Sequence, residues 1–552
     1  MTRTSKLALL TLPAAAAVIA VGVAVAQSAP AGPAPEAGAQ YALAQGFLTP
    51  PDSAKPRTWW HWTNGNVTET GITKDIEWMK RVGIGGFQLV DVASGNGQVV
   101  EPKINFGTEE WYHAVKHSAD LAKQNDLEMS IFSCAGWSEA GGPWVTQQMA
   151  MKRLVWSETD VAGGRAFAGK LAEPPSNEGP VRDSGAGGMA GSDFYADSAV
   201  IAYRTPAEAM PMAMLHPRVT SSGGAVDGKA LMDDSLNSAV TIAAARDGGP
   251  AWLQYEFEKP FTARALSLGT RGRIPVGRIL SSEDGAKWQT IDTMPGPQGY
   301  HGASIRTFGF PAVTAKFFRI EFDRAGLSPA EVIHGQAAEA PPTFGGGNPG
   351  YGVSEAIFYS DARVNRWEDK GAFGSLMDVY DVVPTPGAPG SAEISRGDIV
   401  NITDKMNKDG TLHWDVPEGH WTILRMGYAL TGARNRPSVP AGSGLEVDKL
   451  SSKYVQQYFA GYMDPMKAHL GDLVGSTVQY MTMDSWEAGM QNWTDDMIPE
   501  FQKRRGYDPT PYLPVLAGRV VENADVSDRF LWDFRRTLAD LYAGEFYGTM
   551  DS

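Results

Sequence analysis

Hydrophobic and polar positions change period several times in the first part of the chain, and each change marks an element. Arg57-Thr58-Trp59-Trp60-His61-Trp62 is a short aromatic run between Pro56 and Asn64-Gly65-Asn66, which predicts a strand. Ile72, Ile76, Met79 and Val82 then recur at spacings of four, three and three, the period of an amphipathic helix, closed by Gly83. Phe87 to Val92 reads as a second, buried strand, residues from about Glu109 to Gln124 as a second helix, and Leu127 to Ser133 as a third strand. Strand, helix, strand, helix, strand at this spacing implies right-handed parallel βαβ units. Such folds place their sites on the loops after the strands, and here those loops are rich in Gly, Trp and carboxylates. A (β/α)8 TIM-type barrel is the expected architecture.

The helical rhythm stops near Ser157 and returns only after Tyr428, with Gly, Pro and short β-type runs between. Within this β-rich insertion, Trp252 to Phe257 alternates cleanly, Ser281 to Trp288 reads as strand, turn and strand, and Lys316 to Phe322 supplies a late strand. The series over residues 225–325 resembles the galactose-binding-like jelly roll of discoidin-type modules. Leu450, Tyr454, Tyr458 and Met463 then mark a helix, Thr477 to Met483 a buried strand, and Pro499 to Gly506 and Val526 to Tyr547 further helices. The expected organisation is therefore a signal peptide (1–26), a flexible lead-in (27–44), the first part of a catalytic barrel (45–156), a β-rich insertion (157–428) and a barrel continuation that is incomplete here (429–552).

Composition narrows the classes. At roughly 150 residues per domain, 552 residues make three or four units rather than one core. Hydrophobic content of 43% and charged content of 20% describe an ordinary globular protein. Lys+Arg 48 against Asp+Glu 63 gives −15, and no basic patch interrupts that balance, so no nucleic-acid partner is expected. Sixteen Trp residues suit stacking on sugar faces, and equally suit filling a large core. Arg3 and Lys6 precede an apolar run from Leu7 to Val25, and Ala24-Val25-Ala26 is a small-x-small cleavage site. That is the pattern of a secretory signal peptide cut before Gln27, with an uncleaved anchor as the other reading. Export to the periplasm or outer surface of a bacterium follows, without stable membrane insertion after cleavage. Cys134 is the single cysteine, which excludes an intrachain disulfide and a C-x-x-C zinc site.

The candidate chemistry sits past the predicted strands. Thr477–Met483 runs directly into Asp484-Ser485-Trp486-Glu487, with Gln491-Asn492-Trp493-Thr494 following. Glycoside cleavage needs an acid whose pKa is raised by apolar surroundings and a second carboxylate opposite. Flanking Trp486 and Trp493 could desolvate Glu487 in that way. The alternative is a surface Glu capping the next helix, with Asp484 bonding backbone amides. His61 and Asn64 follow strand one, Asp91 ends strand two, and Trp137, Ser138 and Glu139 follow strand three. His61 among three Trp residues suits a sugar hydroxyl or a satisfied core site. Glu139 suits a hydroxyl or metal contact, or a loop in water. Glu446, Asp448 and Lys449 form a dense charge cluster: its carboxylates are hard oxygen ligands that suit Ca²⁺, or the cluster is a salt-bridged helix start. Asp404, Asn407 and Asp409 do not fit the EF-hand alternation, and Lys408-Asp409-Gly410 reads as a turn. There is no G-x-S-x-G elbow, no phosphate loop and no H-E-x-x-H.

Three blocks together resemble glycoside hydrolase family 106, the α-L-rhamnosidases. They are Trp59-Trp60-His61-Trp62-Thr63-Asn64-Gly65-Asn66-Val67 with Ile72-Thr73-Lys74-Asp75 and Gly83-Ile84-Gly85-Gly86; Gly136-Trp137-Ser138-Glu139-Ala140-Gly141-Gly142-Pro143-Trp144; and Asp484-Ser485-Trp486-Glu487 with Gln491-Asn492-Trp493-Thr494 and Arg504-Arg505-Gly506-Tyr507. The resemblance implies a (β/α)8 catalytic domain with β-rich insertions, hydrolysis of terminal rhamnose with inversion, and a bound calcium ion whose ligands it leaves unassigned. It implies that Glu487 is the general acid, with His61, Asn64, Trp137, Glu139, Asp484, Trp486 and Asn492 as substrate-binding residues on an oligo- or polysaccharide. Family members are longer, so the second catalytic carboxylate is expected beyond Ser552, and the 552-residue chain alone is expected to release no rhamnose. The competing expectations are a non-catalytic sugar-binding protein acting through residues 225–325, and an exo-glycosidase of another deoxy or acidic sugar.

Overall fold

The computed structural model describes residues 37–95, 97–175, 194–233, 235–243, 245, 249–271, 274–295, 305–324, 350–374, 384–486 and 488–552. The expected signal peptide lies outside the described residues, and so does Glu487. No helix among the described residues is long and apolar enough to cross a membrane.

The first unit follows the period of its sequence. Strand β1 (Arg57–Thr63), helix α1 (Glu69–Arg81), β2 (Gly86–Val92), α2 (Glu109–Gln124) and β3 (Glu128–Phe132) alternate, and the strands pair in parallel in the order β1-β2-β3. Each helix starts where a threonine side chain accepts a backbone N–H, Thr68 from Gly71 and Thr108 from Trp111, a cap worth about 1 kcal/mol. Ile72, Ile76 and Met79 of α1 and Trp111, Ala114 and Val115 of α2 pack on Trp60, Trp62, Phe87, Leu89, Met129 and Ile131, the strand residues of one sheet face. A fourth strand, β18 (Val478–Thr482), pairs in parallel with β3 after the whole insertion, so distant segments of the chain build one sheet.

The opposite face of this sheet is only partly covered among the described residues: Val90 and Phe132 on it are buried, but its edges are exposed. Trp59, Gln88, Ser130 and Tyr480 lie in one row across it, with Trp59 49% and Tyr480 60% exposed. Thr477–Met483 is therefore not the buried strand its composition suggests; within it Thr477 and Val478 are buried. Parallel strands are normally covered on both faces, and here helices cover one. The described strands form an open arc with β1 and β18 as edges, not a closed cylinder.

The insertion contributes two antiparallel units. β4 (Lys152–Ala162) leaves the first unit and β17 (His420–Leu430) returns to it, paired along their whole length. With β6 (Tyr195–Arg204) and β15 (Ile399–Asn401) they form the sheet β15-β6-β17-β4, while β5 (Arg165–Lys170) pairs with β16 (Thr411–Val416) beside it. The second unit comprises β7 (Arg218–Ser221), β8 (Gly224–Ala225), β9 (Val240–Ile242), β10 (Ala251–Thr270), β11 (Val276–Ser282), β12 (Gln289–Pro295), β13 (Ile305–Arg324) and β14 (Tyr351–Tyr359). β10 and β13 pair throughout but shift register at Glu256/Phe261; the first half of β10 also pairs with β7 and the second half with β14. The sheet thereby folds over itself. The Tyr255 phenol donates to the Ala356 carbonyl at 2.8 Å, and Phe318 meets Phe358 at 5.0 Å across the two layers.

A short buried helix, α3 (Trp367–Lys370), fastens this unit to the returning chain, which forms α4 (Ser452–Leu470), α5 (Met497–Arg505) and α6 (Ala524–Leu541). Arg306 pairs with Asp369 at 3.1 Å and Lys370 with Asp528 of α6 at 2.7 Å. Glu368 accepts from the Thr307 hydroxyl at 2.6 Å and its backbone N–H at 3.0 Å, and burial pushes its carboxyl up to about 8. Trp156, Tyr203, Trp367, Phe530, Phe534 and Leu538 then share one core between the β4–β17 sheet and α6.

Candidate active site

Strand parity decides which residues reach the C-terminal edge of the first sheet from its partly covered side. His61 lies beside Val90 and Thr482 beside Phe132 on that face. Asp484, two residues past Thr482, is close enough for its charge to act on His61. Asp91 takes the opposite parity. It is paired with Trp62 on the helical face, where it accepts the Trp111 indole N–H at 3.0 Å. The carboxylate read from sequence as a lip position thus points into the helical layer. There it borders a cavity of about 140 Å³ lined also by Gly65, Ile104, Phe106 and Val439. Burial pushes the Asp91 carboxyl up to about 7 against the opposing pull of the Trp111 hydrogen bond.

The loop after β3 is shaped by its glycines. Gly136 sits at φ +89°, and a Cβ there would lie 2.6 Å from the Arg436 carbonyl carbon. This close approach lets the Arg436 peptide accept from Trp137 N at 2.9 Å and donate to the Ser138 hydroxyl at 3.0 Å. Asn435, 1% exposed, ties the same loop down by donating to the Ala135 and Gly442 carbonyls and accepting from Gly444 N. Trp137 is left 37% exposed, its indole N–H donating to His61 Nε2 at 3.2 Å. That bond requires a bare Nε2, and burial lowers the His61 pKa against the opposing pull of Asp484. His61 is therefore a neutral imidazole with its proton on Nδ1.

Glu139 is buried, with its backbone carbonyl held by the Ser133 hydroxyl at 2.6 Å. Its Oε1 accepts the Tyr547 phenol, and among the described residues Oε2 is buried without a hydrogen-bond partner. Ser138 and Ser485 pair as a parallel bridge, and Ser485 N donates to the Trp137 carbonyl at 3.2 Å. The loops after β3 and β18 are thus laid side by side. Trp486 donates its indole N–H to the Gly489 carbonyl at 2.6 Å and packs edge-on against Tyr542 at 4.6 Å. Trp493 does not flank the same spot; it is 1% exposed, against Phe534. The side chains of Gln491, Asn492 and Thr494 are likewise buried. Asn492 accepts from Leu154 N at 2.9 Å and donates to the Gly371 carbonyl at 2.9 Å, so the amide offered by the sequence for a sugar contact is committed to backbone. Asn64, at φ 55°, is similarly engaged, closing its loop through both backbone groups of Ser94.

The 446–449 cluster is largely ion-paired, though Glu446 Oε1 is buried with no hydrogen-bond partner among the described residues. Lys449 donates to Glu446 at 2.7 Å and stands over the Trp486 ring at 5.3 Å. Burial raises the Glu446 carboxyl above its ordinary range; Lys449 and the Ser138 hydroxyl pull it down, and the charge of Glu139 adds to the rise. Asp448 meets Lys152 at 3.0 Å and accepts from Thr494 at 2.8 Å and Leu450 N at 3.0 Å, with Gln491 as a further donor. Of the two expectations for this cluster, the salt-bridged helix start describes it. Among the described residues no three His, Cys, Asp or Glu side chains are grouped as a metal site. Asp409 accepts from Thr411 N and its hydroxyl, each at 3.0 Å, within a turn.

The arrangement offers a hydroxyl-rich ligand an exposed indole, a neutral imidazole and the Asp484 carboxylate, with the Glu139 carboxylate buried next to them in the loop after β3. Tyr542 and Tyr547 were not singled out by sequence reasoning, because they fall inside a stretch with plain helical period.

Residues 48–552 match the sequence profile of glycoside hydrolase family 106, described as α-L-rhamnosidase. The structure of a rhamnosidase from Novosphingobium sp. PP1Y superposes with a TM-score of 0.78 at 37% identity, covering 92% of this chain and 45% of that one. A protein of Formosa agariphila named "Putative beta-glucuronidase" is 30% identical over 505 residues, covering 92% of this chain and 29% of its own. The chain spans less than half the length of either relative.

Proposed function

Because the chain belongs to glycoside hydrolase family 106, we propose that the protein carrying it is an exported enzyme releasing terminal α-L-rhamnose from glycans. The observation that carries the reading is the family match over residues 48–552, which runs through both segments of the parallel sheet and the insertion between them. The composition of the sheet edge supports it, with Trp137 for a sugar face and His61, Asp484 and Glu139 for hydroxyls. In this reading the four-stranded arc is part of a (β/α)8 barrel whose mouth is that edge. Glu487 protonates the departing glycosidic oxygen, and a second carboxylate activates water on the opposite ring face, giving inversion. Residues 225–325 serve as a galactose-binding-like accessory unit.

The calcium ion that the family resemblance implies does not fit the described residues as they stand. Glu446 and Asp448 pair with Lys449 and Lys152, and although Glu446 keeps one buried oxygen unbonded, no three His, Cys, Asp or Glu side chains converge among the described residues.

The Formosa relative favours one second reading, an exo-glycosidase of an acidic sugar. Hydrolysis of 4-nitrophenyl α-L-rhamnopyranoside and 4-nitrophenyl β-D-glucuronide by the full gene product separates the two. Turnover of the rhamnoside with no turnover of the glucuronide is expected. The reverse preference would replace the first reading with the second, and turnover of neither, with glycan retention lost on removing residues 225–325, would make the protein a binding module.

A further inference from the structure

The helix α6 does not end as its sequence period suggests. It opens into a π-helical turn, Tyr542–Tyr547, before α-helical geometry resumes at Gly548. Residues five apart stand about 140° from each other around an α-helix, whereas an i→i+5 turn brings them close to one face. Tyr542 and Tyr547 are such a pair, and both turn toward the candidate site. Tyr542 packs on Trp486 and its phenol donates to the Gln491 carbonyl at 3.4 Å, while Tyr547 donates to Glu139 Oε1. Phe546 between them is fully buried, and Glu545 anchors the turn by accepting from Arg504 at 2.9 Å and Ser452 N at 3.3 Å.

The state of Glu139 gives this turn a purpose. One carboxylate oxygen is held by Tyr547 and the other is buried with no hydrogen-bond partner among the described residues. Leaving a buried acceptor unmet costs about 1–3 kcal/mol, and such atoms in a folded protein call for a reason beyond stability. Glu139 is next to Ser138, whose bridge to Ser485 lies two residues from Glu487. The unmet oxygen is thus kept among the residues assigned above to the sugar.

We propose that Tyr547, presented by the π-helical turn, is a positioning residue that fixes the Glu139 carboxylate so that its free oxygen accepts a hydroxyl of the bound sugar. The proposal rests on the glycosidase reading above and adds to it a residue contributed by the last helix. Tyr547 is 42% exposed and Tyr547→Phe removes only the hydroxyl, so the variant is expected to retain the fold.

The test compares wild type, Y547F, E139Q and the double variant of the full gene product on 4-nitrophenyl α-L-rhamnopyranoside, with thermal unfolding measured alongside. Y547F is expected to raise KM about tenfold with little change in kcat or Tm, the effect of one lost positioning hydrogen bond. In the E139Q background the same change is expected to raise KM less than about twofold, because the group it positions has lost its charge. An equal KM effect in both backgrounds, an unchanged KM, or a Tm loss that accounts for the activity loss would overturn the proposal and leave Tyr547 a structural strut. A wild type that hydrolyses no rhamnoside sinks the glycosidase reading and this proposal together; an active wild type matched by Y547F sinks this proposal alone.

Discussion

Replacing Asp91 by asparagine is expected to stabilise the protein at neutral and alkaline pH and to leave its stability in acid nearly unchanged. Asp91 is 4% exposed, its carboxylate accepts from the Trp111 indole at 3.0 Å, and it forms no ion pair among the described residues. Its carboxyl is raised from 3.8 to about 7 by burial. Between those values the folded chain holds a proton that the unfolded chain releases, so stability falls as pH rises through this window, and the full penalty is present above about 7. A rise of about three units at 1.36 kcal/mol each sets a ceiling of about 4 kcal/mol. Asparagine has nearly the same shape, keeps an oxygen for the Trp111 N–H and carries no charge at any pH. Thermal or urea unfolding of both proteins from acid to alkaline pH should show curves that coincide near pH 4 and separate progressively up to pH 8, with D91N the more stable. A gap that does not change with pH, or a D91N protein less stable than wild type at pH 8, would refute the reasoning.

Two further substitutions probe the frame around the site. Lys152 is fully buried, bonded to Asp448 at 3.0 Å and to the Gln148 and Ala150 carbonyls at 2.8 and 3.2 Å, so Lys152→Met leaves Asp448 buried without its cation. A loss of about 3–5 kcal/mol is expected in urea unfolding, with part of it recovered by adding Asp448→Asn. Gly136→Ala combines φ +89° with a Cβ 2.6 Å from the Arg436 carbonyl carbon, which backbone alone can relieve. A cost of about 1–3 kcal/mol is expected in urea unfolding, together with weaker L-rhamnose binding by calorimetry as the Trp137–His61 contact shifts.

Much of the frame was legible because burial imposes a period. Ile72, Ile76 and Met79 mark the inner side of α1, and the observed bounds of both early helices fall within a few residues of the expected ones. Face assignment was harder. β2, buried on both sides along most of its length, shows no alternation, so nothing in Gly86–Val92 reveals that Asp91 faces the helices while Val90 faces away from them. β18 misled in the other direction. Its apolar and aromatic residues suggest a covered strand, yet Tyr480 stands on a sheet face that the described residues cover only in part. Asn492, in the polar block after Glu487, reads as a sugar contact because an amide suits hydroxyls; in the structure it satisfies buried backbone, while Gln491 and Thr494 bond Asp448. The π-helical turn left no trace in the helical pattern of Val526–Tyr547, and with it the approach of Tyr547 to Glu139 stayed hidden.

The central claim, that Glu487 is the proton donor of a rhamnoside hydrolase, is tested most directly by leaving-group dependence in Glu487→Gln of the full gene product. A general acid contributes about 10²–10⁴-fold, but only where the departing oxygen needs a proton. The account predicts a loss of kcat/KM of that order on rhamnosides of alkyl alcohols, and a loss of less than about tenfold on dinitrophenyl α-L-rhamnoside, whose aglycone departs as a stable anion. Equal losses on both substrates, or wild-type turnover of the alkyl rhamnoside by E487Q, would contradict it.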